Sequence, residues 1–112
     1  MERSELIRRI VLGNICTDYE NLDQTILHDA ARDARRLGFN IERQDVVEAL
    51  RDLVSNGFAH AYRLSPSEQS LVKLDTMPPL EEVEEYFETY FLVTPAGRDF
   101  ELADHSWWPF DD

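Results

Sequence analysis

The sequence predicts an α+β fold of one domain, in which three short helices are followed by strands and a closing helix. Through the first half of the 112-residue chain, apolar residues recur three and four positions apart, which is the spacing of one helix face. Short runs rich in β-branched and aromatic residues follow, as is typical of strands. The length is close to the commonest size of a single domain, so we expect one hydrophobic core.

Three helices are predicted in the first half of the chain, at residues 4–16, 22–37 and 42–56. Ser4 and Asn21 can cap the first two through their side chains, and Gln24 completes a capping-box pattern after Asn21. Gly38 and Gly57 follow the second and third helices, where glycine tolerates the left-handed conformation that ends a helix. The tight turn after Gly38 makes these two helices a candidate helix-turn-helix.

Strands are predicted at residues 58–64, 71–74 and 89–93. Between the last two, the apolar ridge of Leu80, Val83 and Phe87 suggests a short amphipathic helix after Pro79. Thr94 can cap a final helix. This order describes a winged helix-turn-helix, with a three-helix core, a two- to three-stranded wing and a C-terminal helix. We assign residues 1–103 to this domain, with an acidic insertion in the wing around 75–88, and residues 104–112 to an aromatic and acidic tail.

Two segments carry a resemblance to the winged helix-turn-helix superfamily of regulators. LRDLVSNGFAHAYRL, residues 50–64, is similar to the helix, glycine stop and first wing strand of these proteins. YFLVTPAGRDFE, residues 90–101, is similar to their second wing strand, which ends in a threonine followed three residues later by glycine. The resemblance covers roughly residues 4–103 and implies a regulator whose third helix faces DNA. The acidic insertion and the WWPFDD ending depart from that pattern.

The charge balance opposes nucleic-acid binding. The chain has 11 basic and 23 acidic residues and a net charge of −12. Residues 64–112 hold only two of the basic residues against twelve of the acidic ones. An acidic body repels nucleic acid and anionic membranes and favours basic partners, although a local basic stripe would still allow DNA binding.

A DNA-binding interpretation would use the third helix and an arginine cluster in the second. Arg43 could pair with guanine and Gln44 with adenine, whereas four carboxylates on the same helix oppose phosphate. The cluster could hold a phosphate, or it could complement the helix dipole and pair with neighbouring aspartates. The candidate DNA-binding residues are Arg43, Gln44, Arg51, Arg32, Arg35 and Arg36.

A protein-interaction interpretation would use the acidic wing and the tail. The run EEVEEYFE could dock a basic partner, or it could form a solvated face. The tail aromatics could fold back on the domain, or they could anchor a partner or a second copy in a dimer, since tryptophan is enriched in interfaces. The candidate protein-interaction residues are Trp107, Trp108, Phe110, Glu81, Glu84, Glu85 and Glu88.

Catalysis finds no support in the residue pattern. His28, His60 and His105 lack metal-ligand spacing, and Cys16 lies on an apolar helix face. The acidic run lacks the Asp/Asn alternation of a calcium loop. We expect a non-enzymatic protein with no catalytic residue, cofactor or metal.

The sequence predicts a cytoplasmic protein without a membrane partner. Its apolar runs are far shorter than the roughly 18 residues of a membrane span, and MERSELIRR lacks the apolar region of a signal peptide. The single Cys16 fits a reducing compartment. The preferred function is a protein-interaction or regulatory module without strong direct DNA contact. The alternative is a dimeric DNA-binding transcriptional regulator.

Overall fold

The computed structural model describes residues 1–65, 67–84 and 88–111 and confirms the predicted α+β class. The strands form one antiparallel sheet in the order β1-β4-β2-β3. A π-helical turn, Leu22–Ile26, leads directly into the second helix. The helices are α1 (Arg3–Asn14), α2 (Leu27–Arg36), α3 (Arg43–Ser55) and α4 (Pro95–Ala103), and the strands are β1 (Glu20–Asn21), β2 (Ala59–Ser65), β3 (Ser70–Lys73) and β4 (Thr89–Val93).

The helix ends follow the capping predictions at Asn21 and Thr94 but not at Ser4. The Asn21 side chain accepts hydrogen bonds from the backbone of Asp23 and Gln24, and Thr94 Oγ1 accepts one from the Gly97 amide at 3.0 Å. Ser4 lies inside α1, whose N-cap is Glu2. The helix starts earlier than predicted, and the side chain of its first residue, Arg3, donates to Asp45 and to the Asn40 carbonyl.

The third helix begins with a capping box that the sequence analysis missed. Asp45 accepts a hydrogen bond from the Glu42 amide at 2.8 Å, and the Glu42 side chain accepts one from the Asp45 backbone. Serine, threonine and asparagine are the usual N-cap residues, whereas here two carboxylates form the box. Both helix-ending glycines have positive φ angles, +92° at Gly38 and +78° at Gly57, as predicted.

The core lies between the helices and one face of the sheet. Ile10 and Val11 of α1, Leu50 of α3 and Phe91 of β4 are all almost completely buried there. Strand alternation places Ala59, Ala61, Phe91 and Val93 on this face, so the sheet closes the helical layer from one side.

Strand β2 organises the sheet because it pairs with both β3 and β4. Ala61 lies opposite Phe91, and Leu64 lies opposite Leu71. Strand β1 adds two residues at the far edge, where Glu20 lies opposite Phe91. The sequence analysis assigned this stretch to a polar break, since two residues are too few for a period-two pattern to be recognised.

The short helix expected after Pro79 is absent from residues 80–84, and this prediction was wrong. Leu80 is buried, and its carbonyl accepts a hydrogen bond from Arg43 of α3 instead of from a helical amide. The Glu82 carbonyl accepts a second one from the same guanidinium at 2.9 Å. These bonds hold the segment in a non-helical conformation. Phe87, the last residue of the expected ridge, lies outside the described residues.

Within the described ranges, no helix has both the length and the apolar character that crossing a bilayer requires.

Candidate functional site

The outward side of α3 is the candidate site, and its first flank is closed by the chain segment 80–84. Arg43 Nε donates to Asp23 Oδ1 at 2.7 Å, and the same side chain donates to the carbonyls of Leu80 and Glu82. Only 18% of the Arg43 side chain and 9% of the Asp23 side chain are exposed. Arg43 therefore joins three parts of the chain and is not free to reach a base.

A second arginine of α3 fastens the same segment. Arg51 forms an ion pair with Glu81, and both side chains are partly exposed. The hydrogen bond from Arg51 holds the pKa of the Glu81 carboxyl below its usual range. Arg43 and Arg51 lie eight residues, or about two turns, apart on α3. The helix therefore binds the 80–84 segment at two separate points.

The other flank of α3 is closed by α1. Arg3 pairs with Asp45 at 3.2 Å, and Arg8 pairs with Asp52 at 3.3 Å. The hydrogen bond from Arg3 lowers the pKa of the Asp45 carboxyl. The basic residues beside α3 on this flank are thus paired with acidic residues of α3.

Between the two flanks runs a line of exposed polar residues that we call the α3 ridge. Gln44 Nε2 donates to Glu48 Oε1 at 3.3 Å, so the one amide that could read a base is engaged as well. The ridge presents two carboxylates and no arginine to solvent. It consists of Gln44, Glu48, Asp52 and Ser55.

The arginine cluster of α2 is divided between aspartates and the tail. Arg32 contacts Asp29 at 3.5 Å and Asp33 at 3.4 Å. The Arg36 guanidinium lies over two tail rings, and Arg35 is exposed. The structure therefore does not join these three arginines with Arg43 and Arg51 into one basic surface.

The acidic run, for which docking of a basic partner and a solvated face were the two alternatives, makes several contacts within the fold. Glu84 accepts hydrogen bonds from the Thr89 amide at 2.8 Å, from the Thr89 hydroxyl at 2.6 Å and from Arg63 at 2.9 Å. Glu88 Oε2 lies 3.9 Å from Arg63 Nη1. Glu85 lies outside the described residues, and Glu81 is the partner of Arg51 described above.

The tail lies against the domain. Arg36 is 5.2 Å from the Trp108 ring centroid and 4.2 Å from that of Phe110. Trp107 packs against the buried core, and its ring centroid is 5.7 Å from that of Trp108. These contacts correspond to the first alternative for the tail aromatics, in which they fold back on their own domain.

The tail and the helices enclose an open cleft of about 570 Å³. His105 Nε2 lies 2.6 Å from Glu101 Oε1, and Glu101 is buried. Trp107 Nε1 is buried without a hydrogen-bond partner among the described residues. The cleft combines ring faces with paired charges, and it brings together residues of α1, α2, α4 and the tail.

Replacing Arg36 by alanine should loosen the tail. Loss of the two cation–π contacts should lower the free energy of unfolding by about 0.5–1 kcal/mol and shift tryptophan emission to longer wavelength as Trp108 becomes wetter. The measurement is the emission spectrum together with urea unfolding. Arg35→Ala is the matched control, since it removes the neighbouring exposed arginine. Equal spectra for the two variants would show that Arg36 does not hold the tail.

The described residues offer no metal centre, because no group of three or more histidine, cysteine or acidic side chains could hold an ion. Cys16 donates to the Leu12 carbonyl, and burial raises the pKa of its thiol to about 11. A thiol of that pKa is almost wholly protonated at neutral pH and is a poor nucleophile.

Sequence reasoning missed the partners that immobilise the predicted residues. Asp23 and Arg63 are far along the chain from Arg43 and Glu84, so no local pattern links them. The pairing of Glu101 with His105 had a detectable signal in the spacing of four residues, although α4 ends at Ala103 and His105 follows it.

No protein-family model, curated protein or solved structure matches the chain.

Proposed function

We propose that the chain is a non-enzymatic winged-helix module that binds a protein partner through the α3 ridge. In this proposal α2 and α3 form the helix-turn-helix, and β2, β3 and β4 supply the wing. Support for the winged arrangement comes from the element order and from the tight turn at Gly38 between the two helices. The single cysteine supports a reducing compartment, and we propose the cytoplasm.

One observation carries the choice of a protein partner over DNA. The two arginines of α3 bind the chain's own 80–84 segment, while Glu48 and Asp52 are exposed, Asp52 also being the partner of Arg8. Phosphate neutralisation supplies most of the non-specific affinity of DNA-binding proteins. A helix whose carboxylates are exposed and whose guanidinium groups are bound by its own chain suits a basic protein segment instead.

The DNA-binding alternative would require Arg43 to abandon contacts that hold the fold. Its guanidinium would leave Asp23, a carboxylate with only 9% of its side chain exposed, without its partner. An uncompensated buried charge costs several kcal/mol, which base contacts of about 1–3 kcal/mol would hardly repay. We therefore place DNA binding second.

Binding of a lysine-rich peptide tests the proposed function. We expect a fluorescein-labelled amphipathic peptide of lysine and alanine to bind the wild-type protein in low salt. In the double variant Glu48→Lys, Asp52→Lys, the affinity should fall at least ~10-fold, because two attractive contacts become repulsive. Fluorescence anisotropy measures the affinity.

The control carries the same change of net charge elsewhere. Glu68→Lys, Asp75→Lys alters two exposed carboxylates near β3, and it should change the affinity less than ~2-fold at moderate salt, where distant charges are screened. Equal losses in the two variants would mean that only the net charge attracts the peptide. That result, or a wild-type protein that does not bind the peptide, would contradict the proposal.

A further inference from the structure

The side of the sheet that faces away from the core has an unusual composition. Because Ala59 and Ala61 of β2 and Phe91 and Val93 of β4 point into the core, their strand neighbours point the other way. The register places Leu71 beside Leu64 and Lys73 beside Tyr62. We call this surface the outer sheet face. It consists of His60, Tyr62, Leu64, Leu71, Lys73, Tyr90 and Leu92.

The outer sheet face is apolar without belonging to the core. Leu64, Leu71 and Leu92 are neither part of the buried core nor packed against it. Tyr19 adds a further ring, whose centroid lies 4.9 Å from that of Tyr62 in an edge-to-face contact. The solvated face of an antiparallel sheet normally carries polar residues. An apolar composition on such a face is typical of an interaction surface.

No described element lies over the outer sheet face as a layer. Residues of α1, α2 and α3 pack in the core, against the other face of the sheet. Helix α4 lies on that side too, because Gly97 lies against Phe58 and Val93. Leu74 and Met77, which follow β3, also pack on the core side. Leu64 remains 41% exposed.

None of the seven residues of the outer sheet face carries a carboxylate, although 23 of the chain's 112 residues are acidic. The carboxylate at the edge of the face is Glu88, whose carbonyl accepts the Leu64 amide and whose side chain lies 3.9 Å from the Arg63 guanidinium. The two ionisable cations of the face are His60 and Lys73. Burial, followed by the nearby Lys73 charge, lowers the pKa of His60, which favours the neutral imidazole. This is a nearly uncharged patch on a molecule of net charge −12.

We infer that the outer sheet face is the interface of a symmetric homodimer of this chain. A basic or neutral partner would gain from carboxylates at its docking site or tolerate them. A second copy, which also carries a charge of −12, meets the least repulsion where carboxylates are few and paired. The face is self-complementary in kind, since leucine and tyrosine would meet leucine and tyrosine across a two-fold axis. Two such sheets pack face to face about 10 Å apart.

The dimer leaves the α3 ridge on the outside, because α3 lies on the core side of the sheet. The inference therefore goes beyond the proposed function and stands or falls separately from it. Failure of peptide binding would leave the dimer intact, and failure of the dimer would leave peptide binding intact.

Sedimentation equilibrium on the full chain tests the inference. We expect a mass of twice the 13.1 kDa of the chain at protein concentrations of about 50 µM, within the range of stable small interfaces. Leu64→Glu places a carboxylate in each half of the interface and should raise the dissociation constant at least ~100-fold. Circular dichroism and thermal unfolding establish that the variant is folded.

Leu102→Glu is the matched control, because Leu102 is 66% exposed on α4, away from the outer sheet face. It should leave the dimer unchanged. A wild-type protein that is monomeric up to about 500 µM would overturn the inference. So would a dimer that survives Leu64→Glu, or one that Leu102→Glu dissociates. Should Leu64→Glu fail to fold, Leu92→Lys on β4 and Tyr62→Glu at another position of β2 offer the same test.

Discussion

Arg43→Ala should lower the free energy of unfolding by about 3 kcal/mol, because it removes one partner of a mostly buried ion pair. Asp23 would lose its ion-pair partner in a site with little solvent, and the carbonyls of Leu80 and Glu82 would each lose a charged donor. Denaturant unfolding followed by circular dichroism measures the change. A loss of this size is a large part of the 5–15 kcal/mol that typically stabilises a domain.

The control for Arg43 is an arginine whose ion pair is exposed. Arg32 contacts two aspartates, but 52% of its side chain is in solvent, so Arg32→Ala should cost less than about 1 kcal/mol. A double-mutant cycle with Asp23→Ala isolates the pair itself, and we expect the combined loss to be smaller than the sum of the single losses. Equal effects of Arg43→Ala and Arg32→Ala would show that Arg43 is an ordinary surface residue.

Gly97→Ala should destabilise the fold by about 3 kcal/mol through a steric clash with the backbone. A Cβ atom at this position would lie 2.0 Å from the Phe58 carbonyl oxygen and 2.8 Å from Val93 Cγ2. The same Phe58 oxygen accepts the Thr94 amide at 3.0 Å, so making room for the methyl group would strain or break that bond. Thermal unfolding is the measurement.

Gly13 is the matched control within this chain. It lies near the end of α1, where a Cβ atom would meet only Glu101 Oε1, at an ordinary 3.9 Å. Gly13→Ala should therefore stabilise the protein by up to about 1 kcal/mol, as expected for replacing a helical glycine. If the two alanine variants shift the stability in the same direction, the close approach of α4 to Phe58 is not a constraint on the fold.

Much of the fold could be predicted because its signals are local. Helical periodicity located α1, α2 and α3, and Asn21, Thr94, Gly38 and Gly57 marked ends that the structure has. The element that failed was the helix after Pro79, where the apolar spacing was helical. Its backbone carbonyls are instead bound by Arg43, which lies 37 residues from Leu80. A hydrogen-bond donor that lies so far along the chain cannot be recognised from the local sequence.

The candidate site shows the same limit more strongly. Sequence reasoning named one set of residues for DNA and another for a protein partner, and it treated the two as rivals. In the folded chain, members of one set hold members of the other, as Arg51 holds Glu81 and Arg36 holds Trp108 and Phe110. Which charges remain for a partner depends on pairings across 30 residues or more, such as Arg51 with Glu81. No spacing rule reports these pairings.

The most direct test of the central claim, that the arginines of α3 serve the fold and not nucleic acid, is a titration of labelled duplex DNA. Fluorescence anisotropy of a fluorescein-labelled duplex of about 30 base pairs would be followed at about 50 mM and 200 mM salt. We expect no binding tighter than about 100 µM at either salt concentration, the weak end of non-specific DNA affinity. Submicromolar binding that weakens steeply with salt, and that Arg51→Ala reduces, would contradict the claim.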